Sequence, residues 1–415
     1  MNSFGHDMLR FWPLEPGLTY LNHGTVGVTP LSILEAQRSI RDDIERNPSR
    51  FLLRELCEIV VGQPRAERPR LRQAADAVGA FVGARGDDLV FVDNTTTGAN
   101  AILRSSSLQA GDEILVSDFG YGGVTRAVTF AARERGAILR TAEMPYPVRS
   151  TDEVVEAFAA AITPNTKLAV VDHVTSGSAL VLPLAAIAER CRARGVAVLA
   201  DGAHVPGAIA LDIPSLGVDW YVGNLHKWLW VPRSSGILWT SPARQPALHP
   251  SVVSWGLDLG FHAEFDMPGT RDPSPHLSAP AAIAFMHELG VDAVRHYNHA
   301  LVWNGARRLA ARWGTDFVTP EAMIGTMATV MVPEQLGSTA DDAARLRDAL
   351  LFDHRIEVQV HDFRGRLYLR ISGQVYNEPA DIDRLADAVL SLAGKNPSSA
   401  RGFYESPSGI DNSAS

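Results

Sequence analysis

The chain has 415 residues, 46% of them apolar and 20% charged, enough for one large hydrophobic core and a smaller one beside it. A formal net charge of −9 with no basic run speaks against a nucleic-acid or anionic-membrane surface. Cys57 and Cys191 are the only cysteines, with no disulfide framework and no zinc-type spacing, so a reducing cytoplasm is the expected location.

Met1 to Pro13 lacks the apolar stretch of a signal peptide, and no apolar run reaches the roughly 18 residues of a membrane helix. Residues 1–20 read as an N-terminal arm. After the short apolar Leu18-Thr19-Tyr20-Leu21, the run Asn22-His23-Gly24 can turn the chain across a site, with Asn22 and His23 as candidate substrate contacts.

Between about residues 70 and 240, short β-type runs alternate with helical stretches such as Asp152–Ile162 and Leu184–Arg194. Leu89–Val92, Glu113–Val116, Lys167–Val171 and Val196–Ala200 are continuous apolar runs, the pattern of strands covered on both faces. The alternation predicts an α/β fold with a mainly parallel sheet. Functional residues in such sheets gather beyond the C-terminal ends of strands. Asn94-Thr95-Thr96-Thr97, Ser117-Asp118-Phe119, Asp172-His173-Val174-Thr175 and Asp201 each follow one of these runs, so all fall at one predicted edge.

The Pro/Gly-rich Met267–Pro273 interrupts the pattern. A long helical region from Ala279 to about Trp313 and a smaller α+β stretch follow. The expected division is a large domain over 21–285, a small C-terminal domain over 286–395 and a flexible tail over 396–415.

Chemistry centres on Asp201-Gly202-Ala203-His204 and Asn224-Leu225-His226-Lys227-Trp228. A lysine in an apolar setting has a lowered pKa and a nucleophilic amine, suited to a Schiff base. A carboxylate upstream can hold a protonated pyridine nitrogen; otherwise it only caps a turn. Lysine and carboxylate together are what pyridoxal 5′-phosphate requires. His204 can bond the cofactor's phenolic oxygen or be a satisfied core histidine. Thr95 and Thr96, at a strand-to-helix turn, can bind phosphate or simply cap the helix. Tyr121 can stack on the ring, and His173 and Ser176 can reach the ring oxygen or reacting carbon. Arg370, inside an alternating strand, can take a substrate carboxylate.

With these motifs, with Gly269-Thr270-Arg271-Asp272 and with Arg370-Ile371-Ser372, the chain from Leu21 to Leu392 resembles class-V aminotransferase-like pyridoxal-phosphate enzymes of fold type I. Within them it resembles the isopenicillin N epimerase-like branch, which includes cysteine desulfhydrase-type C–S lyases. The resemblance implies a seven-stranded-type large-domain sheet and a smaller α+β domain. It implies Lys227 as the cofactor-bearing lysine, Asp201 at the pyridine nitrogen, His204 near the phenolic oxygen and Tyr121 on the ring. Thr95, Thr96, Asn224 and His226 would bind phosphate, and Thr270 would reach the partner subunit's phosphate in a homodimer with shared sites. No cysteine follows residue 340 and Tyr121 replaces a histidine, so a persulfide-forming desulfurase is disfavoured.

The expected reaction is β-elimination from cysteine or a cysteine S-conjugate. Epimerisation of an amino acid is the first alternative, and decarboxylation-dependent oxidative deamination the second.

Overall fold

Seven strands form the central sheet of the computed structural model, which describes residues 4–59 and 68–394; the expected tail over 396–415 lies outside the described residues. In chain order they are β1 (Leu89–Val92), β2 (Glu113–Ser117), β3 (Ile138–Ala142), β4 (Thr166–Asp172), β5 (Ala197–Asp201), β6 (Trp220–Asn224) and β7 (Gly236–Thr240). Their spatial order is β1-β7-β6-β5-β4-β2-β3. Only β7 runs against its neighbours, and because it is antiparallel to both β6 and β1, β1 points the same way as the other five. Six C-terminal ends therefore share one edge, and the fold is the mainly parallel α/β class.

Alternate side chains of each strand feed opposite layers, as the two-residue period requires. Leu89 and Phe91 pack in one core with α1 (Arg70–Phe81), α4 (Leu184–Arg192) and α5 (Ala279–Leu289). Val90 and Val92 pack in the other with α2 (Thr95–Ser105) and α3 (Gly122–Arg135). The edge strand β3 is mostly exposed, so its sequence carries no continuous apolar run. The long helical region is two helices, α5 and α6 (Val291–Trp313), separated at Gly290, whose φ of +86° no helix accommodates.

The C-terminal part builds a three-stranded antiparallel sheet from β8 (Met327–Met331), β9 (Gln359–Phe363) and β10 (Arg366–Ser372), in the order β9-β10-β8. With α6, α7 (Ala340–His354) and α8 (Pro379–Gly394) it encloses a separate core around Val302, Leu309, Leu346, Leu369 and Leu385. The N-terminal arm ties into this part: Thr19 and Tyr20 pair in parallel with Ile356 and Glu357, and Ser372 N–H donates to the Leu21 carbonyl at 2.8 Å. Residues 22–25 are thereby laid beside the end of β10. Among the described residues no helix is long and apolar enough to cross a membrane.

A fully buried ion pair ties α1 to the segment after β7. Arg72 is 0% exposed and donates from Nε and Nη2 to both oxygens of Asp266, at 2.8 and 2.7 Å. Its Nη1 donates to the Leu89 carbonyl at 2.7 Å. Removing one partner strands a charge in the core, so Asp266→Ala is expected to lower the unfolding free energy by about 3–5 kcal/mol in urea titrations. A loss below about 1 kcal/mol would show that the pair is not structurally important.

Candidate active site

Two carboxylates stand side by side at the sheet edge. Asp172 ends β4 and Asp201 ends β5, directly paired in the parallel register. Asp172 Oδ1 accepts the Tyr121 N–H at 3.3 Å, and Asp201 Oδ1 accepts the Ala203 N–H at 3.0 Å. Asp201 Oδ2 is buried with no hydrogen-bond partner. Burial pushes both pKa values up, and the charge of Asp201 pushes Asp172 further. An acceptor oxygen left free in so dry a place is matched to a cationic N–H donor. Gly202 is required here because a Cβ would collide with the Tyr221 hydroxyl.

Lys227 lies just past β6, between buried Leu225 and Trp228. Burial and then the Arg370 guanidinium lower its pKa to about 7, against the attraction of Asp201. Its Nζ is 3.2 Å from His204 Nε2. His204 is buried, its Nδ1 has no partner, and burial holds its pKa well below the ordinary value, so the ring is neutral. A neutral Nε2 can accept from the lysine amine without competing for its proton.

The lysine backbone is braced from behind. The sequence offers His23 as a substrate contact, but the structure buries it completely: Nε2 meets the Lys227 carbonyl at 3.0 Å and Nδ1 meets the Tyr376 hydroxyl at 2.9 Å. With both nitrogens engaged, His23 positions Lys227. Trp230 adopts φ of +61°, rare for a bulky residue, and is held there edge-on against Trp12 and Phe285.

Arg370, on β10, is 2% exposed and has no carboxylate partner among the described residues. Nη1 donates to the Ser176 carbonyl at 2.6 Å; Nη2 donates to Thr25 Oγ1 at 2.6 Å and Asn22 Oδ1 at 3.4 Å. Nε has no partner. Neutral oxygens orient the guanidinium without neutralising it, and burial lowers its pKa only to about 10, so it stays charged. Asn22, expected to touch substrate, is buried and divides its bonds between Arg370, Thr25 and Glu357. It aligns the arginine.

The start of α2 forms the third side. Asn94 caps it, accepting the Thr97 N–H at 2.9 Å, while Asn224 Oδ1 accepts the Thr95 N–H at 3.0 Å. Asn224 thus docks the helix start onto β6 and contributes no donor from that oxygen. The Thr96 N–H and the Thr95 and Thr96 hydroxyls remain for an anion at the positive end of the helix. His226 donates from Nδ1 to the Ser235 carbonyl at 2.8 Å, and burial lowers its pKa to about 4. Its other nitrogen is therefore an acceptor until an anion raises that pKa.

One cavity of about 410 Å³ is lined by Lys227, Arg370, Ser176, Tyr121 and Thr25. Of the expected site residues, Tyr121, Ser176, Lys227 and Arg370 line it; the others, His173 and Thr270 among them, do not. His173 is buried and neutral, with Nδ1 3.0 Å from the Tyr221 hydroxyl. Thr270 is exposed and lines a different cavity, with Arg271 and Leu56, while Arg271 pairs with Asp93 at 3.0 Å. Sequence reasoning missed Tyr146, His361 and Phe363, which also line the central cavity. No motif marks them, although Asp172 was visible as a second acid at a strand end.

The donor set fits pyridoxal 5′-phosphate. Lys227 would carry its aldehyde carbon, Asp201 Oδ2 would accept a hydrogen bond from the protonated ring nitrogen, and the start of α2 would take the phosphate.

The Aminotransferase class-V family model matches residues 68–385. The chain is similar to a probable chloroplastic L-cysteine desulfhydrase of Arabidopsis thaliana, 32% identical over 91% of this chain and 83% of that protein. It is equally similar to the isopenicillin N epimerase of Streptomyces clavuligerus, 34% identical over 92% and 96%. Its fold is that of an apo cysteine desulfurase from Thermococcus onnurineus NA1, with TM-score 0.75 and 17% identity over 95% of this chain and 99% of that one.

Because the Arg370 charge depresses the Lys227 pKa, Arg370→Gln should raise it from about 7 toward the ordinary value. Measured as the pH dependence of Lys227 modification by an amine-directed reagent in the cofactor-free protein, the midpoint should move up by about one unit. An unchanged midpoint would remove Arg370 as a cause.

Proposed function

The chain belongs to the class-V aminotransferase family, and from that premise we propose a pyridoxal 5′-phosphate-dependent C–S β-lyase that cleaves cysteine or a cysteine S-conjugate to thiol, pyruvate and ammonia. The observation that carries this reading is the pair of cations around one cavity: a lysine lowered to about 7 and a buried arginine with no carboxylate partner among the described residues.

Bound in the cavity, the cofactor supplies a sink for the electron pair left when a bond to Cα breaks. The chain's own residues do the rest. Arg370 takes the substrate carboxylate, gaining the counter-ion that its burial demands, and so fixes Cα relative to Lys227. Near neutral pH the Lys227 amine is substantially deprotonated and takes the Cα proton. His204, held neutral, accepts from that amine and keeps it aimed. The same lysine can return its proton to the departing sulfur, so β-elimination needs only one titrating base. Neither free cysteine lines the cavity, which leaves no thiol there to accept sulfur from the substrate.

The epimerase-like relatives support inversion at Cα as a second reading. Inversion needs a proton donor besides Lys227. His361 is held neutral by burial, with a pKa lowered to about 4, so the donor would be the phenol of Tyr121 or Tyr146.

The reading includes a homodimer in the cytoplasm. Support for the dimer comes from the exposed apolar run Val252 to Leu259, where Trp255 is 81% exposed, and from Thr270 facing outward. Two buried free cysteines suit a reducing compartment.

Incubation of the holoenzyme with S-substituted L-cysteines should yield pyruvate and free thiol in equal amounts. A D-amino acid without pyruvate would establish inversion instead, and CO₂ release with oxygen uptake would establish decarboxylative oxidation. Arg370→Ala should lower kcat/KM by about 100-fold, chiefly through KM. An unaffected KM would contradict its role.

A further inference from the structure

Beside Lys227 and Arg370 the cavity wall is aromatic. Phe119, Tyr146 and Phe363 line it, and their rings meet edge to face. The Phe119–Tyr146 centroids are 5.7 Å apart at 85°, Tyr146–Phe363 5.2 Å at 84°, and Phe119–Phe363 5.7 Å at 65°. Tyr368 supports the group, 5.3 Å from Tyr146. Such pairs attract one another. A cluster that served cohesion alone would be closed to water, whereas Tyr146 and Phe363 are only half-buried and open onto the cavity.

The wall is held in place at an energetic cost. β9 and β10 are joined through Arg364 and Gly365, both at positive φ, +47° and +75°. A two-residue hairpin loop of this hand favours Asn or Gly at its first position. Arginine there is strained. Contacts across to the large-domain loops offset it: Arg364 Nη2 donates to Asp118 Oδ2 at 2.8 Å and to the Met144 carbonyl at 2.9 Å. Those loops carry Phe119 and Tyr146, so the pin fixes Phe363 against its two partners.

The wall's polarity is equally specific. Asp118 is its one carboxylate, and both oxygens are used, Oδ2 by Arg364 and Oδ1 by the Met144 N–H at 2.9 Å. His361 is neutral. Arg370 contributes an uncompensated positive charge nearby. No free negative group is left to welcome a cationic side chain.

We propose that Phe119, Tyr146 and Phe363 form the subsite for the substrate's side chain, selecting an uncharged aromatic substituent on sulfur over a small or cationic one. This rests on reading the cavity as an amino-acid site with bound cofactor: with the carboxylate at Arg370 and the amine at Lys227, the side chain meets the remaining wall. Free cysteine would leave that wall uncovered.

Amino acids that cannot eliminate test binding apart from turnover. The holoenzyme is titrated with L-homophenylalanine, L-alanine and L-lysine while its cofactor absorbance is followed. L-Homophenylalanine should bind about tenfold or more tighter than L-alanine, and L-lysine no tighter than L-alanine. Phe363→Ala should reduce the homophenylalanine-to-alanine ratio to within about threefold, while Phe363→Tyr should preserve it. Tyr146→Leu is the second variant if Phe363→Ala does not fold. Equal affinities in the wild type, or a ratio that both truncations leave intact, would overturn the aromatic subsite alone. An absorbance that responds to no amino acid would overturn the cofactor reading and the subsite with it.

Discussion

Unbalanced charge in a dry cavity is the constraint on which this structure turns. Among the described residues no carboxylate is in contact with Arg370 or Lys227, which face one space, and Asp201 keeps a buried oxygen without a donor. Burying charge without a partner is costly, and proteins retain such groups where a ligand completes them. The cost here is contained by dividing the charges among neutral partners. Ser176, Thr25 and Asn22 orient the guanidinium, and a neutral His204 orients the amine. Burial, with the Arg370 charge added to it, lowers the Lys227 pKa to about 7, a range suited to a base.

The scaffold holds these groups by joining distant parts of the chain. The sheet edge supplies Asp172, Asp201 and the start of α2, because six of its seven strands end there. The antiparallel sheet of the C-terminal part supplies Arg370. The N-terminal arm then crosses between them. Its parallel pairing with Ile356 and Glu357 brings Asn22 and Thr25 to Arg370 and His23 to the Lys227 carbonyl. Arm, sheet edge and β10 must all be in place before the cavity has its chemistry, so folding and function share these contacts.

Much of this was legible in the sequence, and for a physical reason. Strands buried on both faces leave continuous apolar runs, so the polar residues that end them stand out, and the structure places Asp201 and Thr95 at the strand ends where the sequence put them. Arg370 stood out as a charge within an alternating strand. Pairings between residues far apart in the chain left no such mark. His23 looked like a site residue but spends both ring nitrogens on Tyr376 and Lys227. Asn224 looked like a phosphate ligand; its carbonyl oxygen is taken by the Thr95 N–H, which leaves its amide nitrogen as the donor for that role. Phe119, Tyr146 and Phe363 lie far apart in the chain, and only the fold brings them to one wall. Thr270 lies outside the cavity of its own chain, where no local pattern could indicate what it faces.

Everything proposed for the cavity depends on Lys227 carrying the cofactor. Only three lysines occur in the sequence, at 167, 227 and 395, and Lys167 is exposed at the opposite end of β4 from Asp172. Borohydride reduction of the holoprotein, proteolysis and mass spectrometry will therefore locate the attachment without ambiguity. A pyridoxyl-phosphate adduct is expected on the peptide containing Lys227 and on no other. An adduct on Lys167 or Lys395, or no adduct after incubation with pyridoxal 5′-phosphate, would contradict it.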